Sequence, residues 1–146
     1  MKAVEVKKIV GAFEAVSFPE LGVKKTIAKI DTGSYSGALH AINMTEVKDK
    51  NGKLALVFHP CGKKRLEART QLYSKKRVRS SNGHLEERYI IQTWIEINGE
   101  QYPITISLTD RSTMMKEVLI GREFLRRHHF LVDVREGTQY RYAVKD

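Results

Sequence analysis

Asp31, Thr32 and Gly33 follow directly on an apolar-rich run, residues 23–30. A carboxylate carried at the end of a strand has rigid backing. Thr32 offers a short hydroxyl to brace the loop, and Gly33 lets the backbone turn tightly and come close to the carboxylate. So placed, an ionised Asp could act as a general base on water and a protonated one as a hydrogen-bond donor. The tripeptide alone also fits a plain turn after a strand, because Asp-x-Gly is common in loops. A second block bears on the choice: Val118, Leu119 and Ile120, then Gly121, then a short helical pattern from Arg122 through Leu125. A glycine there allows two backbones to meet with no side chain between them.

The rest of the chain must position these two blocks, and it reads as short strands with one helix. Apolar or alternating runs occur at residues 4–10, 13–18, 23–30, 54–59, 89–97, 102–108, 130–134 and 140–144. Pro19-Glu20-Leu21-Gly22, Lys50-Asn51-Gly52, Ser81-Asn82-Gly83 and Asn98-Gly99 separate some of them. Asn-Gly pairs are strong hairpin signals because both residues tolerate positive φ. Regular short strands with such turns predict an all-β small barrel or sandwich. The helix is expected over 122–128. With no repeat, linker or low-complexity tract, residues 1–146 read as one domain, long enough for a substantial core.

Composition narrows the setting. No apolar run approaches the length of a membrane span and no signal-peptide pattern opens the chain, so no membrane partner is expected. The lone cysteine, Cys61, excludes an internal disulfide framework and suits a reducing cytoplasm. It lies in the turn-like His59-Pro60-Cys61-Gly62 and reads as a packed thiol. The net charge of +9 is unevenly placed. Lys63, Lys64, Arg65, Arg69, Lys75, Lys76, Arg77 and Arg79 are opposed only by Glu67. That stretch is either a solvated basic surface or one that attracts a polyanion, whether nucleic acid or an acidic peptide.

An early Asp-Thr-Gly, several strands and a late Leu-Ile-Gly-Arg resemble the retropepsins in order and spacing. The block from Lys29 through Ala41 is similar to the signature of a bacterial and archaeal retropepsin-like family that carries the label "ATP-dependent zinc protease". Arg79-Ser80-Ser81-Asn82-Gly83, Glu86-Glu87-Arg88, Leu108-Thr109-Asp110-Arg111-Ser112 with Met114, the Leu119–Leu125 block and Phe130 through Val134 match in the same order. Gly37 departs from the pattern, where a residue such as Ala is expected. The resemblance implies a retropepsin-like (acid protease) small closed β-barrel with one short C-terminal helix.

It also implies an aspartic peptidase. Hydrolysis then needs two carboxylates sharing one proton around a water molecule, and like charges that close titrate as a unit. One Asp-Thr-Gly per chain means a twofold homodimer with Asp31 from each subunit. Thr32 would brace the two loops, the Gly33 N–H and Ser34 would hydrogen-bond the carboxylate, Gly121 would make room beneath the loop, and Arg122 would hold loop or dimer together. A flap is expected between the two blocks, with residues 80–84 as a candidate tip. Arg79, Ser81, Asn82 and Arg88 are candidates for gripping substrate, since a guanidinium binds carboxylates bidentately. Members of the family are associated with ATP-grasp ligases that append glutamate to proteins, including a ribosomal protein, so acidic or oligoglutamate tails are the expected substrate. Neither half of the family label finds a motif: His-Glu-x-x-His and a Gly-rich phosphate loop with Lys are both absent. Adjacent His128 and His129 make a poor ligand pair and His40 reads as a structural hydrogen-bonder, so no metal or other cofactor is expected. Two alternatives stand beside the peptidase: a non-catalytic basic β-barrel module that binds RNA or the ribosome, with Tyr73 available to stack on bases, and a zinc-dependent protease as the label claims.

Overall fold

Alternation fixes most of the strands. In the computed structural model, which describes residues 8–79 and 82–143, strand β3 (Val23–Ile30) buries Val23, Thr26, Ala28 and Ile30 and turns Lys24, Lys25 and Lys29 to water. Strand β8 (Leu85–Ile97) buries Ile91, Thr93, Ile95 and Ile97, and β9 (Glu100–Thr109) buries Tyr102, Ile104, Ile106 and Leu108. A strand with one apolar row needs facing rows to cover it. They come from β2 (Phe13–Phe18), β4 (Ala38–Lys48) and β10 (Val118–Ile120). Strand β10 lies parallel to β3 and antiparallel to β4. That double pairing closes β10, β3, β2, β8, β9 and β4, in this order, into a six-stranded barrel. Phe18, Leu39, Ile91, Ile106 and Ile120 are among the side chains sealed in the core.

The remaining elements hang on this ring. Strands β5 (Leu54–Pro60) and β6 (Ala68–Thr70) extend the sheet beyond β4. Strand β7 (Tyr73–Arg79) pairs only with β8 and forms a long hairpin with it. Strands β1 (Lys8–Val10) and β11 (Phe130–Val132) make a separate parallel ribbon, with helix α1 (Arg122–Arg127) between β10 and β11. The β8–β9 hairpin turns on Asn98 and Gly99, both at positive φ. No helix among the described residues is long and apolar enough to cross a membrane.

The expected elements need adjustment at several places. The helix stops at Arg127, one residue short of the expected end, because His128 caps it and His129 takes a φ of 59°. Strand β4 was not expected at all. Its pairing with β5 shifts register between Ile42 and Thr45, where Asn43 has a φ of 55°, and the bulge hides the alternation. Of the run 4–10, residues 8–10 are strand and the earlier ones lie outside the described residues. The run 130–134 is strand only to Val132. The run 140–144 is no strand over its described residues: Thr138–Tyr140 is a 3₁₀ turn, and Lys116 Nζ donates to the carbonyls of Tyr140 (2.6 Å) and Ala143 (3.1 Å). Those are carbonyls that a sheet ladder would need.

Candidate active site

Strands β3 and β10 run out side by side, and Asp31 is the first residue beyond them, its N–H donating to the Ile120 carbonyl at 2.8 Å. The chain then turns back on its own carboxylate. The Gly33 N–H donates to Asp31 Oδ1 at 3.0 Å, and Ser34 Oγ donates to Oδ2 at 3.0 Å. Both oxygens are thereby aimed by one short loop. Asp31 and Ser34 are half-buried, whereas Thr32 and Gly33 are exposed on the loop surface.

The start of α1 clamps this loop from the other side. The first N–H groups of a helix have no partner within it. Here the Arg122 N–H donates to the Ser34 carbonyl (2.8 Å) and the Glu123 N–H to that of Tyr35 (3.0 Å). Arg122 adds its guanidinium, donating from Nη1 to the Gly33 carbonyl at 3.1 Å and lying over the Tyr35 ring at 5.5 Å. Two glycines make the approach possible. A Cβ on Gly121 would stand 2.7 Å from the Tyr35 carbonyl oxygen, and one on Gly37 would stand 2.5 Å from that of Leu119. The glycine found at 37 in place of the expected alanine thus has a local reason: the β10 backbone leaves no space for a methyl group.

The β7–β8 hairpin projects beside the loop as the expected flap would. Its base is anchored to the barrel by Glu46 of β4, which accepts hydrogen bonds from Tyr73 OH (2.7 Å) and Tyr89 OH (3.3 Å) and pairs with Lys75. The hydrogen bonds from Lys75 and Tyr73 hold this carboxyl below its ordinary value of 4.5. Nothing local in the sequence announces Glu46, because its partners lie far along the chain.

Between hairpin, loop and helix lies a cleft of about 320 Å³. Tyr35 and Ser36 wall it on the loop side, Val78 and Ile90 supply apolar surface, and Lys76, Arg88 and Arg127 bring three cations from β7, β8 and α1. Of the residues expected to grip substrate, Arg88 reaches this cleft while donating to Glu86 Oε2. Arg79 instead braces the hairpin tip by donating to the Gly83 carbonyl at 2.9 Å. Asn82 sits in that tip and accepts the His84 N–H at 3.4 Å, and Ser81 lies outside the described residues. Tyr35, Lys76 and Arg127 were not singled out from the sequence. Lys76 was hidden in a basic run, and the only cue to Arg127 was its i,i+4 spacing from Glu123.

Among the described residues, several candidate zinc ligands have other partners. His40 is buried and its Nδ1 accepts the Arg111 N–H at 2.9 Å. His59 and His128 each hold a backbone carbonyl, of Leu66 and Pro103. Burial and the neighbouring Glu117 push the Cys61 thiol up, away from thiolate. Among the described residues, no three His, Cys, Asp or Glu side chains converge as a metal site.

The chain is similar to known proteins in sequence and fold. A family model described as RimB-like, retropepsin-like aspartic endopeptidase RimB, matches residues 9–140. A probable alpha-L-glutamate ligase of Shewanella halifaxensis is 31% identical over 135 residues, which is 90% of this chain and 29% of that protein. One of Desulfotalea psychrophila is 32% identical over 124 residues, 80% of this chain and 26% of the ligase. The chain therefore spans under a third of the curated relatives it matches. Among solved structures, a Legionella pneumophila protein of unknown function superposes with a TM-score of 0.71 at 25% identity, covering 89% of this chain and 95% of that one.

Proposed function

This chain belongs to the RimB-like family of retropepsin-like aspartic endopeptidases, and on that premise we propose that it hydrolyses peptide bonds as a twofold homodimer, with Asp31 of each subunit sharing one water molecule. The observation that carries this reading is the Asp31 loop. A carboxylate has both oxygens oriented by its own loop, is clamped to β10 and α1, and stands at the exposed end of the barrel. In the dimer the ionised member takes a proton from the water as it attacks the scissile carbonyl. The protonated member gives its proton to the carbonyl oxygen and recovers it as the tetrahedral intermediate collapses, while the member that took the water's proton passes it to the leaving amine as the C–N bond breaks.

The second Asp31 must come from a second copy, and the same end of the molecule offers a surface for one. The β1–β11 ribbon follows the Asp31 end: the Ile30 N–H donates to the Ala12 carbonyl, and the Ala12 N–H to that of Glu136. Ile9 and Leu131 are register partners on the outer face of the ribbon, 53% and 49% exposed, with Val134 at 71%. Apolar surface of this kind favours association.

Acidic or oligoglutamate tails are the substrate class that best fits. The cleft beside the loop is lined by three cations, and relatives named glutamate ligase carry a segment similar to this chain within a longer protein. The deciding experiment incubates wild-type and Asp31→Asn protein with a glutamate-tailed peptide, with and without chelator, and reads products by mass spectrometry. Cleavage that survives chelation and is lost in Asp31→Asn is expected. Equal cleavage by both proteins would overturn the dyad.

A further inference from the structure

The cleft has a charge arrangement that calls for a ligand. Lys76, Arg88 and Arg127 reach it from three separate elements, so the chain gathers like charge where repulsion opposes it. Two of the three carry an internal counter-ion. Arg127 donates from Nε (3.0 Å) and Nη2 (2.6 Å) to a single oxygen, Oε1 of Glu123, while Arg88 donates to Glu86. Lys76 makes no ion pair among the described residues. Burial, and then Arg88, hold the Arg111 guanidinium below its ordinary value. Val78 and Ile90 flank the opposed Lys76 and Arg88 and give the cleft apolar surface. A short methylene stem would lie on it while the cations take the charged head.

From this geometry we propose that the cleft is a carboxylate subsite, in which Lys76, Arg88 and Arg127 bind a substrate carboxylate and Glu123 is a resident competitor that holds Arg127 in place until the substrate arrives. The subsite rests on the peptidase reading for its purpose, since it adjoins Tyr35 and Ser36 of the Asp31 loop, but its binding can be measured without catalysis. A carboxylate could come from an acidic side chain or from a peptide C-terminus, and both share this chemistry. A bidentate guanidinium contact to either is a charge-assisted pair, weakened here by partial exposure.

The test uses the Asp31→Asn protein and labelled peptides read by fluorescence anisotropy. One peptide pair differs by Glu against Gln in the chain, and a second by a C-terminal acid against an amide, which separates the two sources. The wild-type surface should prefer the acid by about tenfold, and the preference should shrink as salt rises. Lys76→Met and Arg127→Gln should each cut the acid-to-neutral ratio at least several-fold, whereas Glu123→Gln should raise it. A purely structural role for these side chains would not move the ratio in opposite directions. Ratios unchanged in all three variants, or no acid preference in either peptide pair, would overturn the subsite. Shifting ratios in a protein whose Asp31 form cleaves nothing would keep the subsite and defeat the peptidase. Cleavage with no acid preference would do the reverse.

Discussion

Two glycines near Asp31 carry different burdens, and alanine at each should report a different quantity. At Gly37 the added methyl would meet the Leu119 carbonyl oxygen at 2.5 Å. Backbone must move to admit it, so Gly37→Ala should cost about 1–3 kcal/mol, measured by chemical denaturation. At Gly33 the only near atom is Asp31 Oδ1 at 3.2 Å, on an exposed loop. Gly33→Ala should leave the denaturation midpoint nearly unchanged yet lower kcat roughly tenfold or more by displacing the carboxylate. An unchanged kcat would show that the carboxylate tolerates that shift. At this scale the sequence was informative where the constraint is local: Asp31, Gly33 and Ser34 lie within four positions of one another. Gly37 stood out only as a departure from the family pattern, because the atom that excludes a side chain belongs to Leu119, far along the chain.

The β7–β8 hairpin is an element held at its base by one carboxylate. Among the described residues strand β7 pairs only with β8, so Glu46 with Tyr73, Tyr89 and Lys75 ties it to the barrel. Glu46→Gln should loosen the hairpin, seen as faster amide exchange along β7, and should raise KM more than it lowers kcat. The linkage has a definite sign. Glu46 sits below its ordinary 4.5 when folded, so the anchor is fully present above that value and is lost as pH falls through the lowered one. Protection along β7, taken relative to the intrinsic exchange rate at each pH, should therefore fall on acidification in the wild type but show no such step in Glu46→Gln. Strands such as β3 and β9 were legible because one face is buried and alternation follows. Strand β7 was not, since it is largely exposed on both faces, and β4 was masked by the bulge at Asn43. The run at 140–144 alternates convincingly, yet its described residues join no strand ladder and Lys116 takes the carbonyls of Tyr140 and Ala143.

For the molecule as a whole, the proposed dimer makes activity depend on concentration. Leu131→Asp should shift sedimentation towards monomer and abolish cleavage while leaving the barrel folded, since Leu131 faces outward. A monomeric but fully active variant would dismiss the shared dyad. Strand spacing and turns left a barrel or a sandwich open, and the closed barrel followed from the family resemblance, because closure hinges on three residues that spacing does not single out. Strand β10 joins Ala28 to Val118 on one side and Leu39 to the same residue on the other. Its late place in the chain has a consequence for biosynthesis. While the ribosome is still making the segment before Val118, β3 and β4 each expose an unpaired edge, and such edges invite pairing with other chains. The ring can shut only once β10 has emerged, a non-local closure that slows folding. Nascent chains arrested before Val118 should thus aggregate or recruit chaperones, and those arrested well beyond Arg127 should resist protease.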